Sequence, residues 1–209
     1  RLAPLPDQIF RNQGGFRFTD VTPASGIREY GYSQGLAVGD INNDGFDDIV
    51  VANVGRNTML LNCGDGTFSE VTENSGIENA QAMSASAAMA DLDNDGDLDL
   101  YIVNYISGLT VCRDGQQQIT TCIPWTQTCA TDELYENLGN GSFRDVTQSS
   151  RIGASCGKGL GVVVAQLDDL QPDIFVTNDT TPNFLFRNQS DHQGLKFEEQ
   201  GFQTGVAVN

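Results

Sequence analysis

The chain has 209 residues, enough for one sizeable domain, and its 28 acidic against 11 basic residues give a net charge of −17. That balance argues against nucleic acid and against insertion into or adhesion to anionic membrane, and no apolar run approaches the ~20 residues of a membrane span. Twenty-three glycines and few segments of helical period predict an all-β chain with many turns.

In chain order, Arg1-Leu2-Ala3-Pro4-Leu5-Pro6 reads as an internal or processed start, with no visible signal peptide. Gln8-Ile9-Phe10-Arg11-Asn12 then copies a later stretch, Phe184-Leu185-Phe186-Arg187-Asn188. An anchor follows and recurs four times: a Phe, an acid two places on, and an apolar residue nine places after the Phe, usually preceded by glycine. It reads Phe18/Asp20/Gly26-Ile27, Phe68/Glu70/Gly76-Ile77, Phe143/Asp145/Arg151-Ile152 and Phe197/Glu199/Gly205-Val206. Its steps of 50, 75 and 54 residues match the size of one four-stranded propeller blade. The chain therefore divides as 1–27 (the end of a preceding blade), 28–77, 78–152 and 153–206, all within a single β-propeller region, 1–209. Each unit is expected to form four antiparallel strands, about three and a half blades in total, so the whole reads as part of a larger propeller.

Strand one of each unit is small and apolar (35–39, 86–90, 161–165), as the crowded centre of a ring requires. An acidic loop follows it. Asp40-Ile41-Asn42-Asn43-Asp44-Gly45-Phe46-Asp47-Asp48 places Asp, Asn, Asp and Asp at positions 1, 3, 5 and 9, with glycine at 6. Asp91-Leu92-Asp93-Asn94-Asp95-Gly96-Asp97-Leu98-Asp99 carries acids at positions 1, 3, 5, 7 and 9. Like charges this close repel, and a hard cation resolves the conflict, since Ca²⁺ takes six to eight oxygen ligands from alternate side chains of a curled loop. An EF-hand would close at position 12 between helices; here the closing acid is at 9, between β segments. A solvated acidic turn without metal is the competing reading. The third copy, 166–173, is one residue shorter and lacks the acids at positions 1 and 5 and the glycine, so it is expected to hold no metal.

The middle unit has an insertion, 107–131, with Cys112, Cys122, Cys129 and the sole tryptophan, Trp125. A zinc site would want closer pairs and more histidine, whereas a disulfide-tied loop suits an oxidising compartment. In an antiparallel blade the 2–3 and 4–1 connections share one face. Cys156 falls in a 4–1 connection beside the long loop, and Cys63 in a 3–4 connection on the far face. The expected pairs are Cys112–Cys122 and Cys129–Cys156, with Trp125 packed on them. Sequons occur at Asn140, Asn178 and Asn188; Asn140 and Asn188 fall in 3–4 turns expected to be exposed, while the position of Asn178 repeats as Asn53 and Asn104, which suits a turn requirement.

The loops, the anchor and Gly64-Asp65-Gly66-Thr67-Phe68 resemble FG-GAP/VCBS-type repeats, whose loops are similar to those of integrin α propellers. The segments 157–163 and 178–186 and the cysteine-bearing insertion most resemble the cartilage acidic protein family and its bacterial relatives. The resemblance implies a calcium-binding β-propeller, secreted or on the cell surface, with two Ca²⁺ sites. Carried over by position, the ligands are Asp40, Asn42, Asp44 and Asp48, with the Phe46 carbonyl, and Asp91, Asp93, Asp95 and Asp99, with the Asp97 carbonyl.

Three function classes remain in view. An enzyme has little support: there is no nucleophile–base–acid set, His192 sits in a variable turn, and Gly157-Lys158-Gly159 lacks P-loop spacing. A structural, adhesive or protein-interaction module, binding a protein or glycan on its long-loop face, fits best. The alternatives are a carbohydrate-binding propeller and a building block that self-assembles through open blade edges.

Overall fold

Three sheets of four antiparallel strands each repeat one hairpin ladder, as the sequence repeat predicts. The computed structural model describes residues 5–77, 82–108, 111–168 and 171–208; residues 1–4, the repeat boundary at 78 and Asp169–Leu170 of the third loop lie outside them. A two-stranded sheet opens the chain, β1 (Phe10–Asn12) with β2 (Phe18–Asp20). The first blade holds β3 (Ser33–Gly39), β4 (Asp48–Asn53), β5 (Thr58–Asn62) and β6 (Phe68–Glu70) in that spatial order. In the second, β7 (Ala82–Ala90) and β8 (Asp99–Ser107) precede the insertion, which carries its own hairpin of β9 (Cys112–Arg113) and β10 (Ile119–Thr120). The blade then resumes with β11 (Glu133–Asn137) and β12 (Phe143–Asp145). The third holds β13 (Gly159–Ala165), β14 (Asp173–Asn178), β15 (Phe184–Asn188) and β16 (Phe197–Glu199).

The repeat is faithful to the single residue. Ile49 opposes Leu60, Leu100 opposes Tyr135, and Ile174 opposes Phe186 at equivalent places in the three blades. Each first strand also shifts register at the same point, at Ser33/Gly35, Ser84/Ser86 and Gly159/Gly161. The strand-one glycines reflect close approach. A Cβ on Gly35 would sit 2.6 Å from the Ala85 carbonyl oxygen of the next blade.

The recurring anchor has a hydrogen-bonding cause. Ile9, Met59 and Leu134 donate their N–H to Thr22, Thr72 and Thr147, while Asp20 and Asp145 accept from the N–H groups of Thr22 and Thr147. Beyond it the chain makes one helical turn, which an all-β reading misses: α1 (Thr22–Ser25), α2 (Thr72–Ser75), the 3₁₀ turn Ile152–Ala154, and α3 (Gly201–Thr204). The residue ending the turn of α1, α2 and α3 is left-handed, and there the sequence places Gly26, Gly76 and Gly205.

Two apolar cores lie between blades. Ala37, Val50, Met59 and Ile77 of the first blade pack on Ala87, Leu100, Ile102 and Tyr135 of the second. Tyr101, Leu134 and Ile152 of the second pack on Ile174, Val176 and Phe186 of the third.

Candidate metal centres

The two acidic loops join strand one to strand two and fold alike. Position 6 is left-handed in both (Gly45 φ 90°, Gly96 φ 96°), and so is position 4 (Asn43 φ 56°, Asn94 φ 61°). Asparagine is the non-glycine residue that tolerates this conformation best, so these two residues shape the loop, a role the reading by acid spacing overlooked. The first acid folds the turn. Asp40 accepts from the N–H groups of Asp44 and Gly45 at 3.0 and 2.7 Å. Asp91 accepts from Asp95 and Gly96, both at 3.1 Å.

In the second loop, one carboxylate oxygen from each of Asp91, Asp93 and Asp95 lies within 4.8 Å of the others. Asp97 and Asp99 are not part of this group. The Asp97 carboxylate accepts instead from the Asn43 amide at 2.6 Å, which ties the two loops together. Asp99 is buried, and its oxygens accept from the N–H groups of Leu92 (3.1 Å) and Asn137 (3.0 Å). Asp48 is its twin, accepting from Ile41 (3.1 Å) and Asn62 (2.7 Å). The closing acids thus pin the loop to strand three.

Burial leaves its mark on these groups. It pushes Asp99 up to about 7 against the opposing pull of its N–H donors. Desolvation, and then the charge of Asp95, raises Asp93. Desolvation raises Asp48 as well. In the first loop Asn42 donates to Asp44 at 3.0 Å. The third loop differs in kind: Arg187 forms ion pairs with Asp168 and with Asp173, the latter at 2.9 Å.

The insertion is closed by Cys112–Cys122 and bound to the 4–1 connection by Cys129–Cys156, while Cys63 is a free, exposed thiol. Two expectations need correction. Trp125 does not pack away: it sits on a 3₁₀ turn (Pro124–Thr126) with 73 % of its surface exposed. Asn188 is not in an exposed turn. It is buried, and its amide donates to the carbonyls of Leu92 (2.8 Å) and Pro172 (2.9 Å). Asn178 is buried too, donating to Pro182 at 2.7 Å. Asn140 is exposed.

Blades of four antiparallel strands, each with a loop between its first and second strands and packed on its neighbour through an apolar core, define a propeller-like repeat protein. A family model for the FG-GAP-like repeat matches residues 5–51 and 40–102, and the chain carries FG-GAP-type repeats. Cartilage acidic protein 1 of Xenopus tropicalis is 30% identical over 95 residues, which are 45% of this chain and 15% of that protein. The Homo sapiens protein of the same name is 29% identical over 101 residues, 48% of this chain and 15% of its own length. The Mus musculus protein is 28% identical over 101 residues, 48% of this chain and 16% of its own. The matched part is thus a small fraction of each of these relatives.

Proposed function

We propose that the chain is a non-enzymatic, extracellular propeller module that calcium stabilises, with structural, adhesive or protein-interaction roles. The observation that carries this reading is the convergence of the Asp91, Asp93 and Asp95 carboxylates within 4.8 Å. Hard oxygen donors in that arrangement suit Ca²⁺, and an occupied loop would offset the desolvation, and after it the charge of Asp95, that raise Asp93. Asp91, Asp93 and Asp95 would hold the ion with the Asp97 carbonyl and Asp99 completing the shell. Asp40, Asn42, Asp44, the Phe46 carbonyl and Asp48 would hold a second. In the third blade the guanidinium of Arg187 takes the cation's place between Asp168 and Asp173. Two disulfides fit an oxidising, extracellular setting, and no helix among the described residues is long and apolar enough to cross a membrane. Asn140 is the exposed sequon and the candidate for glycosylation.

Extracellular calcium modules bind at ~10⁻⁴ to 10⁻³ M, so millimolar calcium would keep the loops filled. The test is calorimetric melting in calcium and in EDTA, on the wild type and on Asp93→Asn/Asp95→Asn. At about ten times the dissociation constant, mass action gives roughly 1.4 kcal/mol per site. The wild type is expected to melt several degrees higher in calcium, and the variant to keep only part of that gain. Equal melting temperatures with and without EDTA reject the reading.

One observation favours a glycan-binding alternative. Tyr30 and Tyr32 of a 4–1 connection and Trp125 of the insertion are exposed aromatic rings in connections that share a face. A glycan array tests the alternative: selective sugar binding that is lost in Trp125→Ala supports it, and an array without binding rejects it.

A further inference from the structure

The two acidic loops touch, and they touch through side chains that the metal sites themselves leave over. Position 4 of the first loop meets position 7 of the second: the Asn43 amide donates to one oxygen of the Asp97 carboxylate at 2.6 Å. The other oxygen of Asp97 lies against the turn that follows β11, where a Cβ on Gly139 would sit 2.8 Å from it. Asn137, at the end of β11, donates to the carbonyls of Ile41 (2.8 Å) and Leu98 (3.0 Å), one from each loop. Its Oδ1 accepts from the Gly139 N–H at 3.0 Å.

These contacts divide into a fixed part and a movable part. Ile41 is fully buried and its equivalent Leu92 is 1 % exposed, so position 2 of each loop belongs to the core whether or not the loop is filled. Asn43, Asp44, Asn94 and Asp95 are exposed, and their conformation depends on the turn made at positions 4 and 6. The Asn43–Asp97 bond joins this movable half of the first loop to the second. Asn43 stands between the ligands Asn42 and Asp44, and Asp97 carries the carbonyl assigned to the second ion.

We propose that this bond couples the two calcium loops, so that filling either one raises the affinity of the other. It rests on the calcium reading above, of which it names the regulation. Filling the first loop orders Asn42 and Asp44 and, with them, the Asn43 amide, which then holds Asp97 in place. The entropy of ordering the shared segment is lost once rather than twice. The bond reverses the sign expected from charge alone. Two divalent cations in adjoining loops repel through space, so that without the bond the second binds more weakly than the first. Coupling of this kind is reciprocal, and a factor of ~10 in affinity lies within its usual range.

The test follows the amide resonances of Gly45 and Gly96, one in each loop, while calcium is titrated into the EDTA-stripped chain. One loop is then disabled at a time, by Asp44→Ala or by Asp95→Ala. With ~tenfold coupling the midpoint of the intact loop rises about threefold where the two intrinsic affinities are equal, and ~tenfold for the weaker loop where they lie far apart. A rise of about threefold or more in at least one direction is therefore expected. Asn43→Gly removes the amide at an exposed residue, and glycine accepts its φ of 56°, so the turn is kept. In that background, disabling one loop is expected to raise neither midpoint. Asn94→Gly, the same change at the equivalent place outside the bond, is expected to leave the coupling present. Midpoints indifferent to the other loop, tighter binding when the other loop is disabled, or coupling that survives Asn43→Gly overturns the proposal and leaves the calcium reading standing. A chain in which neither glycine responds to calcium rejects both.

Discussion

Asp132 occupies a place that the other blades fill with an amide. Its carboxylate accepts from the Asn104 N–H at 2.8 Å, as Asn57 accepts from Asn53 and Asn183 from Asn178. Its second oxygen accepts from the Tyr101 hydroxyl at 2.8 Å. Burial raises this group from 3.8 to about 7, with Glu133 adding to the rise. The folded chain therefore holds the proton to higher pH than the unfolded chain does. The associated stability is complete below 3.8 and is lost as pH climbs through about 7. Each pH unit in that window costs about 1 kcal/mol. Urea unfolding of the wild type and of Asp132→Asn at pH 5.5 and 7.5 isolates the contribution: the variant's stability should fall less between the two values. A second residue carries strain. Arg151 is left-handed, φ 74°, where the other anchors have glycine. Its side chain is exposed, so Arg151→Gly relieves the backbone at little cost in contacts. A stability gain of ~1 kcal/mol is expected, seen as a higher urea midpoint at unchanged slope.

At the scale of the element, the third strand of each blade ends in an asparagine that works as a staple. Asn137 donates to Leu98 of its own blade (3.0 Å) and to Ile41 of the preceding one (2.8 Å). Asn188 does the same with Pro172 and Leu92. Among the described residues Asn62 donates to Asp47, within its own blade, at 3.0 Å. Alanine at Asn137 or Asn188 strands buried carbonyls in two blades and should cost about 2–3 kcal/mol, whereas Asn62→Ala should cost ~1 kcal/mol or less. Thermal melting of the three variants gives the ranking. These asparagines were visible in the sequence as a recurring letter, as were the strands, because apolar runs and turn glycines repeat at one period. Their partners were not visible, since Ile41 and Asn137 meet only when blades stack. Trp125 and Asn188 were misplaced for the same reason. An exposed loop gives a large ring nothing to pack on, and a turn position is buried when the neighbouring blade reaches over it. The acid spacing placed Asp91, Asp93 and Asp95 in one loop, where their carboxylates lie within 4.8 Å of one another, but it could not show that the Asp97 carboxylate accepts from Asn43 of the neighbouring loop.

Across the whole molecule, cohesion comes from the two cores between blades, and the disulfides divide into one that joins parts of the blades and one that does not. Cys129–Cys156 closes a span of 27 residues and links the end of the insertion to the connection that leads into β13. Beside it Ala130 and Gly157 exchange backbone hydrogen bonds at 3.0 and 3.2 Å, and the Lys158 ammonium donates to the Pro124 carbonyl at 2.6 Å. Chain-entropy arithmetic for a loop of this length gives about 3.5 kcal/mol. Cys112–Cys122 closes a span of 10 residues inside the insertion, around the exposed β9–β10 hairpin. The same arithmetic gives about 2.7 kcal/mol, yet that energy bears on a segment that can open without disturbing either core. Cys129→Ala/Cys156→Ala should therefore lower the global stability of the blades by roughly 3 kcal/mol in urea unfolding. Cys112→Ala/Cys122→Ala should leave that transition in place and only speed amide exchange within 111–127. An equal loss of global stability in both variants would mean that the insertion folds as one cooperative unit with the blades, and that its aromatic tip is held as rigidly as the strands beneath it.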